Sequence, residues 1–210
     1  MHEFQPVDID AMVRATIRFY QENAKAYSAG TKDHDVSQNR DALVRYINGE
    51  PPFRILDLGC GSGRDLRAFS EMGHEPIGLD GAAELCEIAR EWSGCEVLQQ
   101  DFLELSLPDG AFDGVFANAS LFHVPTRDIQ RVLEDLRRTL KPAGVLLVSN
   151  PRGENQEAWH VDRFGVFYDL DAWSRRVTAA GFEALAHYYR PAGRPRHQQP
   201  WLVTVWRKFD

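Results

Sequence analysis

The chain has 210 residues, with 24 Lys and Arg against 31 Asp and Glu, a formal net charge of −7 and 43% apolar residues. That length and apolar share suit one α/β domain over residues 1–210 with a sizeable buried core, and the acidic balance argues against a broad nucleic-acid footprint, which needs a concentrated positive field. No apolar run approaches the length needed to cross a bilayer, and the start, with Glu3, Asp8 and Asp10, does not read as a targeting peptide, so a cytoplasmic protein without a membrane partner is expected.

Met12, Val13, Ile17 and Tyr20 recur at helical spacing, with Asp8 or Asp10 as the cap. A polar stretch, Ser28 to Asp35, leads to a second helix from Ser37, with Leu43, Val44 and Ile47 on one side, stopped by Gly49 and Pro51-Pro52. Residues 1–50 thus read as a helical N-terminal cover and 51–210 as a Rossmann-like core. In the core, strands over Arg54–Leu58, Glu75–Asp80, Glu96–Asp101 and Phe112–Asn118 alternate with helices over Arg64–Met72 and Ala82–Trp92. Arg127–Leu140 is the strongest helix signal, with Ile129, Val132, Leu133, Leu136 and Leu140 on one face. A fifth strand, Val145–Ser149, follows the turn 141–144; Asn150–Asp169 reads as a loop, Leu170–Ala180 as a last helix, and Glu183–Tyr189 and Leu202–Lys208 as closing strands. Such alternation predicts a doubly wound, mostly parallel sheet with helices on both faces; the last two strands, joined by a loop alone, should pair antiparallel.

The segment Asp57-Leu58-Gly59-Cys60-Gly61-Ser62-Gly63-Arg64 lies where a strand meets a helix. Its glycines let the backbone turn sharply beside a ligand, and the helix start offers unpaired N–H groups. A dinucleotide fingerprint would put a third glycine where Arg64 stands, which counts against a nicotinamide-dependent oxidoreductase. Asp57, ahead of the glycines, suits a cationic ligand group better than a pyrophosphate. Asp80-Gly81 ends the second strand, where an acid either accepts from ribose hydroxyls or caps the next helix; Asp101-Phe102 ends the third, where an acid and a ring suit an adenine. Cys60, Cys86 and Cys95, without CxxC spacing, read as reduced thiols, and Cys60 as a small residue in a tight turn. Two candidate ligands, His160 and Asp162, are too few for a metal site, so none is expected.

From Phe53 to Ser149 the chain resembles the class I S-adenosylmethionine-dependent methyltransferases: Asp57 through Gly63 matches their first motif, Asp80 their ribose acid, Asp101-Phe102 their adenine site, Phe112-Asp113-Gly114-Val115 with Asn118-Ala119 their fourth strand, and Leu140 to Gly144 their L-K-P-G-G turn with one Ala for Gly. Phe19-Tyr20 through Tyr27, then Thr31-Lys32-Asp33, resemble the N-terminal cover of small-molecule methyltransferases, and Gly61 through Leu66 is similar to enzymes of the tellurite-resistance and thiopurine type. The resemblance implies a seven-stranded sheet whose last strand is antiparallel, S-adenosylmethionine as cofactor with S-adenosylhomocysteine as product, and Tyr27, Asp57, Gly59, Cys60, Gly61, Arg64, Asp80, Gly81, Asp101, Phe102, Asn118 and Ala119 around it.

Methyl transfer from a sulfonium asks the protein mainly to orient an acceptor and exclude water. Residues 8–40 are expected to form a lid, with Tyr20 and Tyr27 two helical turns apart on one side. His123 and Tyr20 are the catalytic candidates; His123 suits either proton removal from the acceptor or a cofactor or packing contact. The segment 150–169, with Trp159, His160, Arg163, Phe164, Phe167 and Tyr168, is expected to line the acceptor pocket, with Arg152 or Arg163 binding an acceptor carboxylate. Arg190, Arg194, Arg196 and His197 form a basic cluster that reads as a solvated loop. A small-molecule acceptor in a monomer or homodimer is expected; the alternatives are a cofactor-binding protein without turnover and an RNA or protein methyltransferase.

Overall fold

A computed structural model describes the backbone of residues 9–209. The expected capping by Asp8 or Asp10 lies outside the described residues and side chains. Three helices come first, α1 (Ile9–Glu22), α2 (Ala24–Thr31) and α3 (Ser37–Tyr46). The core then runs β1 (Arg54–Leu58), α4 (Arg64–Glu71), β2 (Glu75–Asp80), α5 (Ala83–Ser93), β3 (Glu96–Gln99), β4 (Phe112–Asn118), α6 (Ile129–Thr139) and β5 (Leu140–Pro151). It closes with β6 (Gln156–His160), β7 (Arg163–Phe167), α7 (Leu170–Ala179), β8 (Phe182–Arg190) and β9 (Trp201–Lys208).

Seven strands form one sheet in the order β3-β2-β1-β4-β5-β9-β8. β9 runs antiparallel between β5 and β8, and the other neighbours pair parallel. The layering follows from strand alternation: Ile55 meets Leu43 of α3 and Phe69 of α4 on one face, whereas Leu56 and Leu58 meet Val132, Leu133 and Leu136 of α6 and Trp173 of α7 on the other. α5 joins α3 and α4 on the first face through Cys86, Ala89 and Leu66. The strand order reverses between β1 and β4, and a crevice opens there at the carboxyl edge of the sheet.

Three local expectations change. Residues 150–169 are not an open loop: β6 and β7 pair as a separate antiparallel hairpin, whose buried Phe164 and Val166 pack into the main core. β3 stops at Gln99, and Asp101 lies beyond it, its side chain accepting from the Leu103 amide at 2.9 Å. α3 is not part of a lid, because its buried Leu43 packs on the sheet with Ile55, Phe116 and Val205; only α1 and α2 stand over the crevice.

Candidate functional site

The crevice begins with the turn after β1. Gly59, Gly61 and Gly63 all have positive φ, at 75°, 54° and 84°. Side chains are also excluded by space, since a Cβ on Gly59 would come within 2.4 Å of the Ser120 Cβ, and one on Gly63 within 2.9 Å of the Ala89 Cα. Gly63 is the N-cap of α4, so no side chain covers the first amides of that helix. Asp80 braces the turn: its carboxylate accepts from the Gly61 amide and the Ala82 amide, both at 3.0 Å. Asp80 thus ties the turn to the segment that enters α5, whose N-cap is Ala82 and carries no side-chain cap, and it also lies on the cavity wall. Burial raises its pKa, against the lowering effect of those amides.

Two chambers meet at this turn. The inner one is lined by Asp80, Gly81, Asp101 and Phe102 from the sheet edge, by Ser120 and His123 after β4, and by Val13, Thr16 and Ile17 of α1. The outer one is lined by Arg64, Asn118, Ser149, Phe122, Arg163 and Trp201, among others. Tyr20, Tyr27, Gly59, Gly61 and Ala119 border both. Asn23 interrupts the helix between Tyr20 and Tyr27, yet their rings still meet edge to face at 5.2 Å. Burial raises both phenol pKa values.

Tyr20 is also wired to His123. The His123 Nδ1 lies 2.6 Å from the Phe164 carbonyl, and its Nε2 lies 2.9 Å from the Tyr20 hydroxyl. A carbonyl only accepts, so Nδ1 carries the proton and Nε2 accepts from Tyr20. Burial, aided by the charge of Arg163, lowers the His123 pKa to about 4 against the opposing pull of the Phe164 carbonyl. The imidazole is therefore neutral near pH 7, with its lone pair already engaged.

Several buried polar groups have no partner among the described residues. Asp57 is 2% exposed and its Oδ2 is unpaired; Ser120 is 4% exposed and its Oγ is unpaired. Burial first, and the nearby Asp65 charge second, raise the Asp57 pKa well above the carboxylate range. Ala119, between β4 and Ser120, holds φ at 62°, a left-handed conformation uncommon away from glycine. Arg64 donates to Asp65 at 2.6 Å and to the Thr31 carbonyl at 3.1 Å. Cys60 is buried beneath the turn and burial raises its thiol pKa, so it fills space and is not a nucleophile.

The structure separates the other candidates. Arg152 is consumed by the Gln199 and Arg196 carbonyls, at 2.8 and 2.6 Å, and is not available to an acceptor. Trp159 and His160 are exposed, whereas Arg163 and Phe164 face α1 and His123. No group of three metal-binding side chains occurs among the described residues. One unforeseen residue is Asn39 of α3, fully buried, which donates to the Asn118 side chain at 2.8 Å and accepts from the Tyr188 hydroxyl at 2.9 Å. Its signal was present as a polar residue on the stripe Asn39-Leu43-Ile47.

Residues 55–144 match the family model of the methyltransferase domain. A protein of Encephalitozoon cuniculi whose name assigns it only to the methyltransferases is 29% identical over 192 residues, which is 81% of this chain and 88% of that protein. A human protein named for tRNA methylation, tRNA methyltransferase 9B, is 28% identical over 68% of this chain, but the match spans only 33% of the relative's length. Among solved structures, the 1,6-didemethyltoxoflavin-N1-methyltransferase of Burkholderia thailandensis, with its substrate and S-adenosylhomocysteine bound, superposes with a TM-score of 0.77, covering 98% of this chain and 91% of that one at 22% identity. At that identity the likeness speaks for the fold.

Proposed function

With residues 55–144 a methyltransferase domain in a class I fold, we propose that this protein binds S-adenosylmethionine across the glycine turn and transfers its methyl group to a small organic acceptor. The observation that carries the reading is the pair of chambers joined at Gly59 and Gly61 under the two tyrosines. The inner chamber, with Asp80 for ribose hydroxyls and Asp101 and Phe102 for an adenine, fits the nucleoside. The side-chain-free turn, the uncapped start of α4 and the unpaired Asp57 oxygen fit an amino-acid end that carries both charges, with Arg64 near its carboxylate. When bound, the cofactor supplies an electrophilic methyl group on a sulfonium. Asn118, Ala119 and Tyr27 flank the place where the chambers meet.

The chain's own work is to orient and to keep water out. α1 and α2 close the inner chamber, and Asn39 fixes the Asn118 amide. Tyr20 and His123 hold one proton between them, so an acceptor proton can pass to the Tyr20 oxygen only as the Tyr20 proton moves to the His123 Nε2. A nucleic-acid acceptor draws support from the likeness to tRNA methyltransferase 9B and from the exposed Arg194, Arg196 and His197; a net charge of −7 and the enclosed Tyr20–His123 pair weigh against it. Calorimetry with S-adenosylhomocysteine tests the first half of the proposal. A screen of small thiols, amines, phenols and carboxylic acids, followed by S-adenosylhomocysteine release, tests the second. Micromolar cofactor binding with turnover on at least one such compound is expected; failure of the wild-type protein to bind S-adenosylhomocysteine overturns the reading.

A further inference from the structure

The hairpin β6–β7 brings Arg163 to the wall of the outer chamber, beside α1. Its guanidinium lies 4.7 Å over the Phe19 ring and 5.7 Å over the Tyr20 ring. One of its terminal nitrogens donates to the Tyr20 hydroxyl over a long 3.4 Å, and its Nε is buried without a partner. No carboxylate pairs with it among the described residues. Other cations of the same chamber are engaged: Arg64 holds Asp65 at 2.6 Å, and Arg190 donates to the Asp35 carbonyl at 2.6 Å. A guanidinium packed on aromatic faces with a buried donor unmet is costly unless something brings it an anion.

Resting on the methyl-transfer reading above, we propose that Arg163 selects the acceptor by pairing with its carboxylate, so that the substrate class is small aromatic acids. The ring would lie in the outer chamber, where Phe122 and Trp201 supply flat apolar walls. The planar fork of Arg163 matches a carboxylate in geometry as well as charge. The Tyr20–His123 pair agrees with this choice. With the His123 pKa near 4, the imidazolium is disfavoured about a thousandfold at pH 7, so the site is poor at removing a tightly held proton. An acceptor whose reacting group is already acidic makes little demand on it.

The test is saturation-transfer NMR on the full chain loaded with S-adenosylhomocysteine, comparing benzoate, benzamide and phenyl phosphate. Benzoate should bind at least about tenfold more tightly than benzamide, a difference expected of one charge-assisted pair. Arg163→Gln should erase that preference, and Arg163→Lys, which keeps the charge without the fork, should retain part of it; unchanged S-adenosylhomocysteine affinity in both variants reports intact folding. Equal binding of benzoate and benzamide overturns the proposal, as does a preference that survives Arg163→Gln. Tighter binding of phenyl phosphate than of benzoate also overturns it, by assigning the cation to phosphate. Loss of S-adenosylhomocysteine binding by the wild type would instead count against the methyl-transfer reading itself.

Discussion

Two residues of the site, the buried Asp57 and the half-buried His123, respond to pH with opposite signs. Burial raises the pKa of Asp57 above its unfolded value of about 3.9. The folded state thus holds this proton more tightly, and the ligand-free protein loses stability as pH rises from about 4 through the folded pKa. Asp57→Asn removes that cost, so Tm at pH 7 should rise, by about 2–4 °C for each kcal/mol regained in a chain of this size, and the gain should vanish near pH 4. The same variant should bind S-adenosylhomocysteine more weakly; calorimetry at both pH values checks the two halves, and a lowered Tm at pH 7 would show that the carboxylate is paired in the folded chain. His123 runs the other way. Its pKa falls from 6.5 to about 4, so the unfolded chain binds more protons in that window. Stability is fully present above pH 6.5 and falls by roughly 3 kcal/mol as the pH drops toward 4. The ring protons of His123 should therefore not titrate by NMR between about pH 5.5 and 8, and His123→Gln should flatten the acid limb of Tm against pH.

At the scale of elements, hydrogen bonds from the hairpin tie down α1, the helix that lines the inner chamber. The Thr16 Oγ1 accepts from the buried Phe164 amide at 3.0 Å while donating to the Met12 carbonyl at 3.2 Å. Thr16→Val keeps the shape but orphans that amide, a cost of about 1–3 kcal/mol. S-adenosylhomocysteine should then leave about five- to a hundredfold faster in stopped flow, because the helix must lift for release; an unchanged off-rate would mean that exit does not pass α1. Gly63→Ala is a different kind of defect. It forces a Cβ against the Ala89 backbone at a left-handed φ, so α4 and α5 must part, and Tm should fall by at least about 4 °C. The glycine turn was readable because backbone geometry demands those residues. The central strands β1, β4, β5 and β9 were readable because two-sided burial makes them largely apolar runs. The hairpin was not. Four of the five residues of β6 are exposed, so no core face marks it, and its tip is Val161-Asp162, with Val161 at φ 57°, not the Asn-Gly or Asp-Gly pair that announces a two-residue turn. Arg163 was legible only as a cation of the segment 150–169; its unmet donor and its aromatic bed depend on that hairpin folding over α1.

For the whole molecule, the reversal of strand order between β1 and β4 gathers residues from the first helix to the last strand around one crevice, so Tyr20, Asp80, His123, Arg163 and Trp201 line two adjoining chambers. Global charge then bears on what can enter. At −7, the chain repels a phosphate backbone except near the exposed loop with Arg194, Arg196 and His197. Even that loop is not wholly free: the Arg196 guanidinium lies on the Tyr189 ring, and its carbonyl accepts from Arg152. A tRNA acceptor would need several phosphates neutralised at once, which makes affinity fall steeply with salt. With S-adenosylhomocysteine bound, filter binding of unfractionated tRNA should show no saturable complex below roughly 100 µM at about 50 mM salt, the weak end of non-specific binding. Micromolar binding that collapses by about 200 mM salt, together with label transferred to tRNA from methyl-labelled cofactor, would displace the small-acceptor reading and move the basic loop from the margin of the site into its centre.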